Sequence, residues 1–146
     1  MSYWDTSCLV KLYTPEAESL TLRSHVLGGA TVVTSDISRL ELWATLRRKE
    51  ADGVLAAGEA RTIQRAFDAD VIAGDLSVIS TSASVRGQFE AIVERFYSRS
   101  PPIYIRTLDA WHLAAAQSAG ETEIVATDKR LREAAQVLGL TVFPPP

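Results

Sequence analysis

Of the 18 acidic residues in this chain, four stand among apolar neighbours or at junctions between elements: Asp5, Glu41, Asp109 and Asp128. Asp5 follows Tyr3-Trp4 and precedes Thr6-Ser7-Cys8-Leu9-Val10. Glu41 interrupts the apolar helical stretch Leu40-Glu41-Leu42-Trp43. Asp109 lies in Thr107-Leu108-Asp109-Ala110-Trp111-His112, at the start of the most apolar helix, and Asp128 closes Ile124-Val125-Ala126-Thr127. A buried unpaired charge is costly, and four carboxylates drawn together cannot all stay ionised without cations. Oxygen-only ligands suit Mg²⁺ or Mn²⁺. Such a centre polarises a phosphodiester, activates water and steadies the leaving oxygen, which is nuclease chemistry without a histidine base.

Each residue also has a plainer reading. Asp5 and Asp128 suit helix N-caps, Ser38 and Glu41 have the spacing of a capping box, and Asp109 gains from a helix dipole. The chemical case rests on the conjunction, which depends on the elements that carry the four.

Residues 1–5 read as a strand ending at Asp5, followed by a helix through Leu9, Val10, Leu12 and Tyr13. Thr14-Pro15-Glu16 looks like a second helix start, with Thr14 as N-cap, running toward Val26 and ending at Gly28-Gly29. Thr31-Val32-Val33-Thr34 reads as a strand, and Ile37, Leu40, Leu42, Trp43 and Leu46 mark a helix from Ser35 to Asp52. Helices are expected over 57–75, 82–98, 107–119 and 129–138, and strands over 76–79, 123–127 and 141–143. This alternation predicts an α/β fold, an α/β/α sandwich around a parallel sheet of four to five strands, in one domain spanning 1–146. Two carboxylates then end parallel strands and two sit near the starts of flanking helices. Ligands bind outside the carboxyl ends of such strands.

The chain's 146 residues suffice for a core without disulfides or structural metal, and its composition is that of a globular protein: 47% hydrophobic, 23% charged. One cysteine, Cys8, forbids an internal disulfide, and with two histidines excludes a Cys/His zinc site. No apolar run is long enough to span a bilayer and the N-terminus lacks a signal-peptide pattern, so a cytoplasmic location is expected. A net charge of −3 argues against a generic nucleic-acid coat but leaves room for a nuclease whose cations reverse the local charge.

Four segments together resemble the PIN-domain family, and within it the VapC toxins of toxin–antitoxin pairs: Trp4 to Tyr13, Ser38 to Leu42, Thr107 to Ala114 and Ala126 to Leu131. Each is weak alone; their order in a chain of this length is specific. The resemblance implies that Asp5, Glu41, Asp109 and Asp128 hold Mg²⁺ or Mn²⁺ and activate water. It matches Ser7 and Thr127 to small hydroxyl residues that support a carboxylate or water at the metal. It further implies an endoribonuclease acting on RNA, tRNA or rRNA among the targets, a homodimer, and silencing by a VapB-like antitoxin. The antitoxin binds operator DNA, so DNA contact is indirect. A housekeeping or DNA-directed PIN nuclease shares the same motifs.

Other residues carry smaller expectations. Arg47, Arg48, Lys129 and Arg130 are candidate RNA contacts against a default of solvated helix-end cations. His112, three residues after Asp109, shares its helix face and reads as a packed or supporting histidine. Cys8 reads as a small buried residue, and Trp43 and Trp111 as core. A haloacid-dehalogenase-like phosphatase would want an aspartate where Ser7 stands, and a receiver-like phosphoacceptor an acidic pair where Thr6 follows Asp5.

Overall fold

The computed structural model describes residues 2–145. Five parallel strands form one sheet in the order β3-β2-β1-β4-β5: β1 Ser2–Trp4, β2 Val32–Ser35, β3 Leu76–Ile79, β4 Glu123–Val125 and β5 Thr141–Phe143. Seven helices connect them: α1 Thr6–Tyr13, α2 Ser19–Leu27, α3 Asp36–Ala51, α4 Glu59–Ala73, α5 Ala83–Tyr97, α6 Thr107–Ser118 and α7 Lys129–Val137. No helix among the described residues is long and apolar enough to cross a membrane.

Alternation along the short strands divides the core. In β1, Tyr3 enters one layer with Ile92, Phe96, Leu113 and Leu131 from α5, α6 and α7. Its neighbour Trp4 enters the other with Leu9, Leu22, Leu42 and Phe67 from α1 to α4. In β4, Ile124 and Val125 divide in the same way. Side chains two residues apart share a face of a strand, so three residues of β1 are enough to join both layers of the α/β/α sandwich. A run of fully buried alanines, Ala110 and Ala114 to Ala116, lets α6 lie close beneath the sheet.

The chain winds outward from β1 through β2 to β3, then returns to the other side of β1 and continues through β4 to β5. The winding therefore reverses between β1 and β4. A crevice opens at the carboxyl ends of two strands where the order reverses, and Asp5 and Asp128 follow those two strands.

The strands and most helices fall where the sequence pattern places them. The second helix does not. The Thr14 hydroxyl donates back to the Val10 carbonyl at 2.9 Å, so Thr14 ends α1 and does not start α2. The Ser19 hydroxyl accepts from the Glu16 amide and donates to the Thr14 carbonyl, and the helix begins only at Ser19. At the other boundary type, Gly74 (φ 85°) takes the left-handed conformation that turns α4 into β3 within two residues.

Leu113 is fully buried on α6, and Leu113→Ala is expected to cost about 2–5 kcal/mol in urea denaturation. The same truncation at Leu20, 80% exposed on α2, is expected to stay within about 0.5 kcal/mol.

Candidate active site

Asp5 is set at the end of β1 by its own amide, which donates to the Val125 carbonyl at 3.1 Å and ties it to β4. Its carboxylate caps α1, accepting from the Cys8 amide at 2.8 Å and from the Ser7 hydroxyl at 2.8 and 3.0 Å. Asp5 is 5% exposed. Burial pushes its carboxyl above the usual range, against the Cys8 amide and the Ser7 hydroxyl.

Asp128 caps α7 in the same manner, accepting from the Arg130 and Leu131 amides at 2.9 and 3.1 Å. Asp109, in the first turn of α6, is held by Arg106 in a two-point pair, Nε to Oδ2 at 2.6 Å and Nη2 to Oδ1 at 3.1 Å. The same Nη2 reaches Asp128 Oδ2 at 2.9 Å. One guanidinium thus spans two of the four carboxylates. Burial raises the Asp128 carboxyl, but the Leu131 amide, Arg106 and the Arg130 amide outweigh it and hold that carboxyl below its ordinary value.

Glu41 projects from the second turn of α3. The Thr6 hydroxyl donates to its Oε2, and His112 Nε2 lies 2.9 Å from the same oxygen. Among the described residues Oε1 has no protein partner. Burial raises the Glu41 carboxyl, but His112 and Thr6 outweigh it, with a contribution from the charge of Arg106, and the group sits below its ordinary value. His112 is itself anchored: Nδ1 lies 2.9 Å from the Tyr3 hydroxyl, which is 2.9 Å from Ser35 Oγ. The capping-box reading of Glu41 fails here, because Ser38 is fully buried inside α3 against the Thr34 hydroxyl at 2.7 Å while Glu41 faces α1 and α6.

All four carboxylates line one cleft of about 670 Å³, together with Ser7 and Arg48. Thr127 stands at its margin, accepting at 3.3 Å from Lys11, which also pairs with Glu18 at 2.7 Å. The remaining candidate cations lie elsewhere. Arg47 pairs with Glu50 at 2.6 Å and sits over the Trp43 ring, Lys129 reaches toward Glu133 at 3.8 Å, and Arg130 lines an adjoining cleft. Trp43 is half-buried beneath both Arg47 and Arg61, and Trp111 packs against Phe89. Cys8 is a buried free cysteine. Arg106, Thr6, Tyr3 and Lys11 escaped sequence reasoning. Only Arg106 left a signal, a cation three residues before Asp109 at a helix start.

The donor chemistry fits a hard divalent cation: four carboxylates and a serine hydroxyl, with no thiolate exposed to the cleft. Arg106 supplies the positive charge between Asp109 and Asp128. Among the described residues, no three acidic, histidine or cysteine side chains meet at coordinating distance. The Arg106 side chain is half-exposed at this position.

Residues 2–137 match the model of the PIN domain, and the chain belongs to that family. Within it the chain falls among the VapC-type members. It is 32% identical over 151 residues to Ribonuclease VapC35 of Mycobacterium tuberculosis, an alignment covering 99% of this chain and 97% of the relative. The fold is similar to that of Mycobacterium tuberculosis VapC20, a sarcin-ricin loop cleaving toxin (TM-score 0.69, 20% identity, 92% of this chain and 95% of that one). It is also similar to a chain of Rickettsia felis VapBC2 bound to a promoter DNA fragment (TM-score 0.68, 14% identity, 97% of each chain).

Because Glu41 is held below its ordinary value, its ionised form stabilises the fold above the normal glutamate range, and that stability is lost as pH falls through the depressed value. Urea midpoints measured downward from about pH 5 are expected to fall for the wild type and to fall less steeply for Glu41→Gln. Equal slopes would show that Glu41 is not coupled to Thr6 and His112 in solution.

Proposed function

We propose that this protein is a metal-dependent endoribonuclease and the toxin of a VapBC-type pair. The observation that carries the reading is the convergence of Asp5, Glu41, Asp109 and Asp128 on one cleft at the reversal of strand order. The VapC relatives support the choice of RNA as substrate.

In this reading Asp5, Asp109 and Asp128 hold Mg²⁺ or Mn²⁺ from the ends of β1, α6 and β4, and Glu41 completes the acidic wall. When bound, the cation supplies Lewis-acid polarisation of the phosphodiester and acidifies water. The protein's own groups do the rest. Ser7 fixes the Asp5 carboxylate through one hydroxyl shared between its two oxygens. Thr6 and His112 fix Oε2 of Glu41 and leave Oε1 open to take the proton of the attacking water as the P–O bond to the leaving ribose oxygen breaks. Thr127 braces Lys11 at the cleft margin, and Arg48 offers a phosphate contact. Arg106, displaced from Asp109 and Asp128, is placed to pair with the substrate's phosphate in two-point fashion.

We further propose a cytoplasmic homodimer silenced by a VapB-like antitoxin. Solved neighbours that include a VapBC assembly support the antitoxin. Exposed Leu20 and Leu27 on α2 and Ile72 on α4 support a protein-covered face on the first half of the chain.

Total cellular RNA incubated with the antitoxin-free protein and Mg²⁺ or Mn²⁺ is expected to yield discrete fragments, and EDTA to abolish them. Asp5→Asn and Asp109→Asn are each expected to lower cleavage by more than about 100-fold, beyond the loss typical of a group that only supports a ligand. Their urea midpoints should stay close to the wild type. Full activity in Asp5→Asn, or cleavage that survives EDTA, would overturn the metal site.

A further inference from the structure

A second cleft, of about 600 Å³, adjoins the acidic one and shares Arg106 and Asp109 with it. Its floor is apolar, from Ile105 in the segment before α6 and from Ala134 and Val137 on α7. Its wall is Tyr104, which is 80% exposed, an unusual setting for an aromatic ring. The ring is braced by Tyr97, edge to face at 5.8 Å and 82°, and the Tyr97 hydroxyl donates to the Ile105 carbonyl at 3.4 Å. An edge-to-face contact of this kind is favourable and leaves a face of the Tyr104 ring open to solvent. Arg130 also lines this cleft, and its guanidinium makes no ion pair among the described residues. Glu133 faces the same space, turned toward Lys129 at 3.8 Å.

We infer that this shelf is the subsite for an unpaired nucleobase of the RNA next to the scissile phosphate, with the base stacked on Tyr104 and its phosphate paired with Arg130. The inference rests on the ribonuclease reading for the identity of the ligand. Three features favour a nucleotide over a peptide segment. The open aromatic face is flat, as base stacking requires. A free guanidinium stands beside it. The shelf runs directly into the site of phosphodiester chemistry through Arg106 and Asp109. Stacking tolerates any base, so this subsite selects for single-stranded RNA at the cut and not for a letter.

The test uses a fluorescein-labelled random-sequence 12-nucleotide RNA and the full chain carrying Asp5→Asn, with Mn²⁺, read by fluorescence anisotropy. Tyr104→Ala in that background is expected to weaken Kd about tenfold, the loss of one stacked base. Tyr104→Trp is expected to restore binding and Tyr104→Leu to fail, which separates stacking from mere bulk. Tyr104 is solvent-exposed, so the variants are expected to fold, and their urea midpoints check it. An unchanged Kd in Tyr104→Ala, or no RNA binding by the parent protein, overturns the subsite. Tenfold weaker binding beside a wild-type protein that cuts no RNA would retain the subsite and remove the ribonuclease reading. Cleavage by the wild type with an unaltered Kd in Tyr104→Ala would do the reverse.

Discussion

Mutual repulsion among carboxylates gathered at one end of the sheet is the constraint around which this molecule is arranged. Two of them cannot be moved, because Asp5 and Asp128 cap the helices that leave β1 and β4. The protein answers with Arg106, which spans Asp109 and Asp128, and with the His112–Glu41 contact. Asp5 forms no ion pair with either and relies mainly on the Cys8 amide and Ser7, and its carboxyl rises with burial where those of Glu41 and Asp128 fall. The same group of residues thus combines two stabilised anions with one that burial leaves poorly solvated. That imbalance is what a cation would correct.

The sheet makes the arrangement possible because so little of it is needed. Three residues of β1 join both core layers, and their immediate successor is Asp5. Tyr3 does double service: its ring belongs to the core shared with α5, α6 and α7, and its hydroxyl positions His112 and so Glu41. Packing and the acidic centre are therefore coupled through one side chain. The alanines of α6 complete the coupling, since a helix with larger residues there would carry Asp109 and His112 further from β1.

Much of this was legible in the residues themselves. Periodicity located the strands and most helices, because alternation and 3.6-residue spacing are local consequences of burial. The four carboxylates stood out because charge among apolar neighbours needs a reason. Thr14 misled, because the same hydroxyl that suits an N-cap also closes a helix by bonding back to Val10. Ser38 and Glu41 misled in one of their readings, because capping-box spacing says nothing of which side chain is buried. Thr6 is not legible because its partner Glu41 lies far along the chain, and the i,i+3 spacing of Arg106 and Asp109 says nothing of the second partner, Asp128; pairings at that range are fixed by topology alone.

Arg106 holds the place that we propose for the divalent cation. Diffraction from crystals soaked in Mn²⁺, with data collected to show manganese by its anomalous signal, tests it most directly. A manganese peak is expected among Asp5, Asp109 and Asp128, with the Arg106 guanidinium swung away from both Asp109 and Asp128. A structure with no peak in that cleft, and Arg106 still paired to both carboxylates at saturating Mn²⁺, would contradict it.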